Sequence, residues 1–347
     1  MEEQIFLVRV SCMTYNQASY IEDAMDGFCK QETVFPFVCV IIDDASTDGE
    51  QGVIHRYLED NFDFQASVSY DQETDYGQVA FAPHKTNRNC YFAVILLKEN
   101  HYQQKKSKYP YFKRWYRTKY VALCEGDDYW IDPMKLQKQV EFLENHEDYG
   151  FVGTNIIVNK RGILQKEPPV FSRGVTEGDF LLVGDAFGDA IGGPVARTVS
   201  LLYKSDLIRP FAKFVKGDIL LESILAKQSN YACYQEYASV YRMGVGVSSS
   251  QNDLDRAIRY NDYIASSRKT QNQLFPTDCN FPIEELEDRG DYLRLIYSIR
   301  KMKWKEAIQY KSQIKSKVYR KKNYSRFLHG PFSCAVLWIA LKLKHHE

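Results

Sequence analysis

The stretch "LCEGDDYWIDPMKLQKQ", residues 123–139, sets Glu125, Asp127, Asp128 and Asp132 within eight residues, directly after an apolar run. Like charges repel, so either solvent absorbs the cost or a cation and a bound anion make use of it. The run before the acids, "KYVALC" (119–124), reads as a buried strand. After them, Asp132 fits a helix N-cap and Pro133 the first helical position, and Leu136, Val140 and Leu143 form an apolar stripe. The unit is strand, acidic loop, helix.

The same unit occurs twice upstream. "IFLVRV" (5–10) is a short β-branched strand followed by "TYN" and a helix with Ile21, Ala24, Met25 and Phe28 at i, i+3, i+4 and i+7. "FVCVII" (37–42) is a second buried strand, ending in "DDASTDG", with a helical stretch over roughly 49–60. Such alternation indicates an α/β fold with parallel strands, in which ligands bind at the carboxyl ends of the strands. Tyr15 with Asn16, Asp43 with Asp44, and Glu125 to Asp128 are therefore expected to converge on one sheet edge.

Elsewhere the pattern is weaker. Residues 61–118 read as less regular, with the polar, Tyr- and Lys-rich insertion "KENHYQQKKSKYPYFKRWYRTK". From 150 to 247 the pattern is mixed, and "GDAFGDAIGGPVA" (184–196) is either a mobile acceptor loop or a plain connection. Near 250 the character changes: "NDLDRAIRYNDYIASS" is helical, with Leu254, Ala257, Ile258 and Ala265 on one face. Two regions follow, 1–250 and a basic, mostly helical 251–347. From 291 to 347 Lys and Arg outnumber Asp and Glu by 14 to 3, which suits either contact with an anionic inner leaflet or a solvated helical cap.

Bulk composition excludes little. In 347 residues the basic and acidic side chains balance at 45 each, and no nucleic-acid partner is expected. The eight cysteines form no CxxC pair and several sit in apolar runs, as reduced thiols do. The opening "MEEQIFLVRV" is unlike a signal peptide, and no apolar run reaches the ~20 residues needed to span a bilayer. The expected location is the cytoplasm, and contact at the inner membrane is one of the two readings of the basic tail.

Glu-x-Asp-Asp at a strand end suits a hard divalent cation, Mg²⁺ or Mn²⁺, which takes one or two carboxylates while phosphates and waters fill the rest. Asp43 and Asp44 at a neighbouring strand end can accept hydrogen bonds from a base N–H and a ribose hydroxyl. Together these make a nucleotide-diphosphate site without a Gly-rich phosphate loop. A dehydrogenase is disfavoured because no GxGxxG follows the first strand, and a sugar nucleotidyltransferase because no Gly-rich loop with Arg does.

"CMTYNQASYIEDAMDGFCKQE" (12–32), "VIIDDASTDG" (40–49) and "KYVALCEGDDYWIDPMKLQKQVEFLE" (119–144) closely resemble family 2 glycosyltransferases, inverting enzymes of GT-A fold, over roughly residues 5–247. The third stretch is similar to bacterial enzymes that build capsule, lipopolysaccharide or exopolysaccharide. The resemblance implies a Rossmann-like, mostly parallel sheet flanked by helices, and a nucleotide-diphosphate sugar donor, UDP-linked by default. It implies a glycan or lipid-linked acceptor. On it, Tyr15, Asp43 and Asp44 match nucleotide-binding positions, Glu125 and Asp127 the metal and diphosphate positions, and Asp128 the usual third acid. Trp130 matches either a sugar-pocket wall or a packing aromatic. In "KGDILLESILAKQSN" Asp218 matches the general base, with Glu222 a poor second and a helix N-cap as the plain alternative for Asp218. In "VYRMGVGVSSS" Arg242 stands where a cation meets the diphosphate, while Met243 and Gly244 occupy the place of the family's usual His. That departure keeps a second expectation open, a catalytically silent nucleotide-sugar-binding subunit of a glycan-assembly complex.

Overall fold

The segment Phe37–Asp43 is buried at every residue, which explains its unbroken apolar character. Successive side chains of a strand point to opposite faces, and here both faces are covered. Phe37, Cys39 and Ile41 join one hydrophobic cluster, whereas Val38, Val40 and Ile42 join another. This strand is central to the fold.

The computed structural model describes residues 5–167, 173–245 and 253–315. The chain divides into two compact units, residues 1–250 and 251–347. The first unit begins β1 (Val8–Thr14), α1 (Ile21–Cys29), β2 (Phe37–Asp43) and α2 (Glu50–Asn61). It continues with β3 (Tyr70–Glu73), β4 (Gly77–Pro83), β5 (Cys90–Leu97), the short α3 (Tyr109–Phe112), β6 (Tyr120–Leu123) and β7 (Tyr129–Trp130). Next come α4 (Lys135–Asn145), β8 (Tyr149–Lys160), β9 (Ile163–Lys166), β10 (Val175–Glu177), β11 (Phe180–Gly184) and the short α5 (Phe187–Ala190). β12 (Leu202–Lys204), α6 (Asp218–Gln228) and β13 (Asn230–Met243) complete it.

The sheet runs β10-β11-β13-β8-β12-β6-β1-β2-β5-β4-β3. Its centre, β6-β1-β2-β5, is parallel throughout, and both flanks add antiparallel strands. The fold is thus mixed α/β with a parallel centre and helices on the sheet. Register aligns Thr14 with Asp43 and Asp43 with Leu96, while Ser11 stands opposite Leu123. The carboxyl ends of four neighbouring strands therefore lie side by side.

Residues 61–118 hold more order than their sequence suggests, since β3, β4 and β5 all fall there. The cue is "CYFAVILL", an apolar run preceded by "KTNRN". Within that turn Asn87 donates to the carbonyls of Cys29 and Gln31, and Asn89 to that of Thr33. The helix after the acidic loop also differs from expectation, starting at Lys135 rather than Pro133. The Asp132 carboxylate accepts from the Met134 amide two residues on, so it closes a turn ahead of the helix instead of capping it. The seven described cysteines, Cys12, Cys29, Cys39, Cys90, Cys124, Cys233 and Cys279, are free thiols.

The second unit contains α7 (Asp253–Leu274), α8 (Ile283–Arg300) and α9 (Trp304–Gln313). Its apolar centre is formed by Tyr292, Leu295, Ala307 and Ile314. Leu254, Ala257, Ile258 and Ala265 are only half-buried; the buried side chains of α7 are the polar Asn261, Ser267 and Gln271. The basic tail beyond 315 and residues 246–250 of the "VYRMGVGVSSS" stretch lie outside the described residues. Among the described residues no helix is long and apolar enough to cross a membrane.

Helix α1 presents Ile21, Ala24, Met25 and Phe28 to the core, with the Phe28 ring 4.9 Å from Trp130. Gly27 allows that approach. A Cβ there would stand 2.8 Å from the Trp130 carbonyl oxygen and 2.9 Å from its amide nitrogen. Helix propensity alone favours Gly27→Ala by about 1 kcal/mol. The clash is with backbone, so the expected result is the opposite, a loss of about 1–3 kcal/mol in urea unfolding.

Candidate active site

A buried glutamate organises the loops at the strand ends. Glu50, the first residue of α2, has no exposed surface, and its carboxylate accepts from the Thr14 hydroxyl, the Gln17 amide and the Ser46 hydroxyl. Burial raises its pKa above the usual carboxylate range, and these donors oppose the rise. Asn16, in the left-handed region at φ 55°, donates its backbone amide to the Ser46 hydroxyl oxygen, and its side-chain Oδ1 accepts from the Thr47 amide at 2.7 Å. The Asp48 carboxylate accepts from the Ala18 amide. The loops after β1 and β2 are thus tied together by side chains. Tyr15 lies half-buried between them in sequence, directly after β1.

Asp43 and Asp44 occupy different environments. Asp43 is fully buried; its Oδ1 accepts from the Ser46 amide and the Gln51 amide group, and its Oδ2 has no hydrogen-bond partner. Desolvation raises its pKa. Asp44 accepts from the amides of His101 (2.8 Å) and Tyr102 (3.0 Å) and pairs with Lys108 at 3.0 Å. Its carboxylate thus helps to hold the segment after β5. Of the pair, Asp43 keeps the spare acceptor.

The third strand end brings Glu125, Asp127 and Asp128 beside these loops. The Gly126 amide donates to the Met13 carbonyl, and a Cβ on Gly126 would stand 2.4 Å from Thr14 Oγ1 and 2.6 Å from Gln17 Oε1. Only glycine lets the acidic loop lie this close to β1. Burial raises the pKa of Glu125 and Asp127, and pushes that of Asp128 up to about 8. Each of Glu125 and Asp128 is raised further by the charge on Asp127, so the three acids share one field. Donors oppose the rise: Thr198 Oγ1 to Glu125 at 3.0 Å, Gln17 to Asp127, and the Arg242 amide to Asp128 at 2.7 Å.

Asp218 opens α6, following Gly217, and its carboxylate accepts from the amide of Ile219. Its charge raises the pKa of both Glu125 and Glu222 and also supports protonation of Arg197, which places it in the same field as the acidic loop. Arg242 is engaged differently from expectation. Its guanidinium pairs with Asp23, donates to the Asp127 carbonyl, and lies over the rings of Tyr129 (4.4 Å) and Tyr20 (5.0 Å). It braces the acidic loop from behind, and its charge is already paired. Trp130 is a core residue, 3% exposed, with Nε1 donating to the Val199 carbonyl and Lys135 Nζ 4.3 Å from the ring. These contacts fit the packing alternative.

Glu222 is likewise structural. Its Oε2 accepts from the Val195 and Ala196 amides, while its buried Oε1 has no partner. It fastens the end of the "GDAFGDAIGGPVA" segment, and Ser223 donates to the Ala190 carbonyl in the same segment. That stretch is thereby anchored on α6. Thr198, two residues beyond it, reaches Glu125.

Glu125 and Asp127 fit a hard divalent cation: two desolvated carboxylates that repel each other, with phosphate and water left to complete the shell. Among the described residues no three His, Cys, Asp or Glu side chains form a metal-holding group. Gln17, Glu50, Thr198 and Tyr241 were not singled out from sequence. Burial raises the Tyr241 hydroxyl's pKa, and the charges of Asp128, Asp127 and Glu125 raise it further. Gln17 and Tyr241 lay inside quoted stretches, and Glu50 directly follows "DDASTDG".

No protein-family model matches the chain. An uncharacterized protein of Mycobacterium tuberculosis (strain H37Rv) is 36% identical over 140 residues, covering 39% of this chain and 31% of that protein, and one of Mycobacterium bovis matches equally. The chain thus spans about a third of the length of the curated relatives it matches. Among solved structures it is similar to S. aureus TarS 1–349 in complex with UDP-GlcNAc, with TM-score 0.46 and 14% identity over 82% of this chain and 71% of that one. It is also similar to the mannosyltransferase PcManGT of Pyrobaculum calidifontis in complex with GDP-Man and Mn²⁺, with TM-score 0.46 and 14% identity over 98% of this chain and 81% of that one.

The Glu222 pKa of about 8, raised chiefly by burial, has a thermodynamic consequence. Below the unfolded value, about 4.5, both states hold the proton. As pH rises towards 8 the unfolded chain releases it and the folded chain does not, so this group's share of stability is lost across that window. Glu222→Gln keeps the acceptor for Val195 and Ala196 and removes the titration. Its stability relative to the parent, measured by denaturant unfolding, rises between pH 5 and pH 8; a flat difference would mean Glu222 titrates normally.

Proposed function

We propose that the protein is an inverting glycosyltransferase that moves a sugar from a nucleotide diphosphate to a hydroxyl of a glycan or lipid-linked acceptor in bacterial surface polysaccharide synthesis. The observation that supports this reading is the gathering of acids at one sheet edge: Asp43 ends β2, Glu125 and Asp127 follow β6, and Asp218, which opens α6, acts on Glu125. A single desolvated acid is common in proteins. Four acids from three elements, three of them with raised pKa, need a cationic partner.

In this reading Tyr15 and Asp43 hold the nucleoside, and Glu125 and Asp127 hold Mg²⁺ or Mn²⁺. When bound, the cation neutralises the charge that develops on the diphosphate leaving group. Thr198 and Gln17 fix the two carboxylates, and Asp128 holds the Arg242 strand against the loop. Asp218 takes the proton of the acceptor hydroxyl as its oxygen bonds to the anomeric carbon. The bond from that carbon to the diphosphate oxygen breaks on the opposite face, and its electron pair leaves with the nucleotide.

A second reading, a catalytically silent nucleotide-sugar-binding subunit, is supported by one observation. Arg242, the cation expected at the diphosphate, pairs with Asp23 and lies over the rings of Tyr20 and Tyr129.

Thermal unfolding against UDP, GDP and dTDP, each with and without Mn²⁺, tests the site. A ligand at a hundredfold excess over its Kd stabilises the native state by about 2.7 kcal/mol. The expected result is a metal-dependent upward shift with one nucleotide that disappears in Asp127→Ala; no shift with any nucleotide would remove the reading. Asp218→Asn separates the two alternatives. For a transferase it lowers transfer at least ~100-fold while the nucleotide shift persists, whereas a silent binder turns over no donor in either form.

A further inference from the structure

The segment 98–119 takes no part in the chemistry above, yet its composition is the most biased in the first unit. It carries eight Lys or Arg against one acid, Glu99, interleaved with Tyr102, Tyr109, Tyr111, Phe112, Trp115 and Tyr116. Three of the cations are paired near their own loop: Lys98 with Glu73, Lys106 with Glu99, and Lys108 with Asp44. Lys105, Lys113, Arg114 and Arg117 form no ion pair with any described residue. Four unmatched positive charges on one short segment attract an anion.

The same segment builds a cleft. Trp115 is buried against Phe81 at 5.9 Å, on the sheet face opposite α1 and α2. Tyr111 lies on Tyr76 with centroids 4.1 Å apart, and the Arg114 guanidinium is 5.6 Å above the Tyr70 ring. With Gln72 and Pro110 these side chains line an open cavity of about 270 Å³. Its walls offer phenol hydroxyls, an amide and a guanidinium over an aromatic floor. Lipid tails need a greasier groove. Stacked nucleobases need free ring faces, and here Tyr76 covers a face of Tyr111 while Arg114 covers Tyr70. A saccharide matches the polar walls, since its hydroxyls bond to phenol, amide and guanidinium groups without needing an open ring face.

The cleft is joined to the candidate active site. Leu97 pairs with Gly77, so Tyr76 stands at the same sheet end as Asp43. The Asp44 carboxylate holds the His101 amide, and His101 Nε2 lies 2.9 Å from the Tyr111 hydroxyl. One chain of contacts runs from a strand-end acid to the cleft wall.

We infer that this cleft is a docking subsite for an anionic saccharide chain, which it holds beside the strand ends. Its role as an acceptor subsite rests on the transferase reading; the binding itself does not. The test is calorimetric titration of the full chain with hexagalacturonate, the neutral maltohexaose and hexathymidylate. Hexagalacturonate is expected to bind at least tenfold more tightly than maltohexaose, to weaken as salt is raised, and to lose about tenfold or more in Arg114→Glu and in Tyr111→Ala. Arg114 is exposed, so its variant, checked by a melting curve, remains informative if Tyr111→Ala fails to fold. No binding of hexagalacturonate, equal binding in the Arg114→Glu variant, or tighter binding of hexathymidylate overturns the inference. Hexagalacturonate binding by a protein that responds to no nucleotide supports the subsite and removes the transferase reading. A nucleotide response without hexagalacturonate binding removes the subsite alone.

Discussion

The Glu50 carboxylate is the constraint on which the site depends. It has no exposed surface, yet it accepts hydrogen bonds from two loops that follow different strands. A buried carboxylate without donors is costly, and removing its partners would leave that cost uncompensated. Thr14, Gln17 and Ser46 are consequently held where Glu50 needs them. Gln17 then supports Asp127, and Thr14 marks how closely Gly126 must approach. The acidic loop is placed by contacts that begin at an acid outside it.

The unliganded chain holds its carboxylates under tension of charge. Glu125, Asp127 and Asp128 are each desolvated, and no described basic side chain sits among them to balance all three. Arg242 comes nearest, but its guanidinium contacts a carbonyl and Asp23. On the proposed reading a cation held by Glu125 and Asp127 would relieve this repulsion, and preorganisation of this kind would spare a ligand the cost of gathering the acids.

The parallel centre of the sheet was legible from the alternation of apolar runs, polar loops and helical stripes, because β1, β2 and β6 are buried on both faces. The α1 stripe of Ile21, Ala24, Met25 and Phe28 was legible for the same reason. β5 was readable in principle from "CYFAVILL" but was obscured by the polar stretch after it. Residue type alone did not separate Asp43 from Asp44. Their difference comes from His101, Tyr102 and Lys108, which lie more than fifty residues away and enter through the fold. Trp130 and Arg242 follow the same rule: each is a plausible ligand contact by sequence, and each is claimed by a partner that only tertiary structure supplies. Gly126 shows the reverse case, since its place between two acids looked incidental until the Thr14 side chain was seen against it.

The hydrogen bond from the Arg242 amide to Asp128 closes 114 residues of chain. The Thr198 contact to Glu125 closes 73, and the Gly126 amide reaches back to Met13. Contacts this remote in sequence are formed slowly, because the entropy of each loop is lost before any contact rewards it. During synthesis the first two strands and their helices emerge as a coherent α/β start, yet the acidic loop lacks its last brace until β13 has left the ribosome. The growing protein therefore acquires the start of a sheet well before it completes the candidate site, and a chain interrupted before Arg242 would have the acids in sequence without this brace.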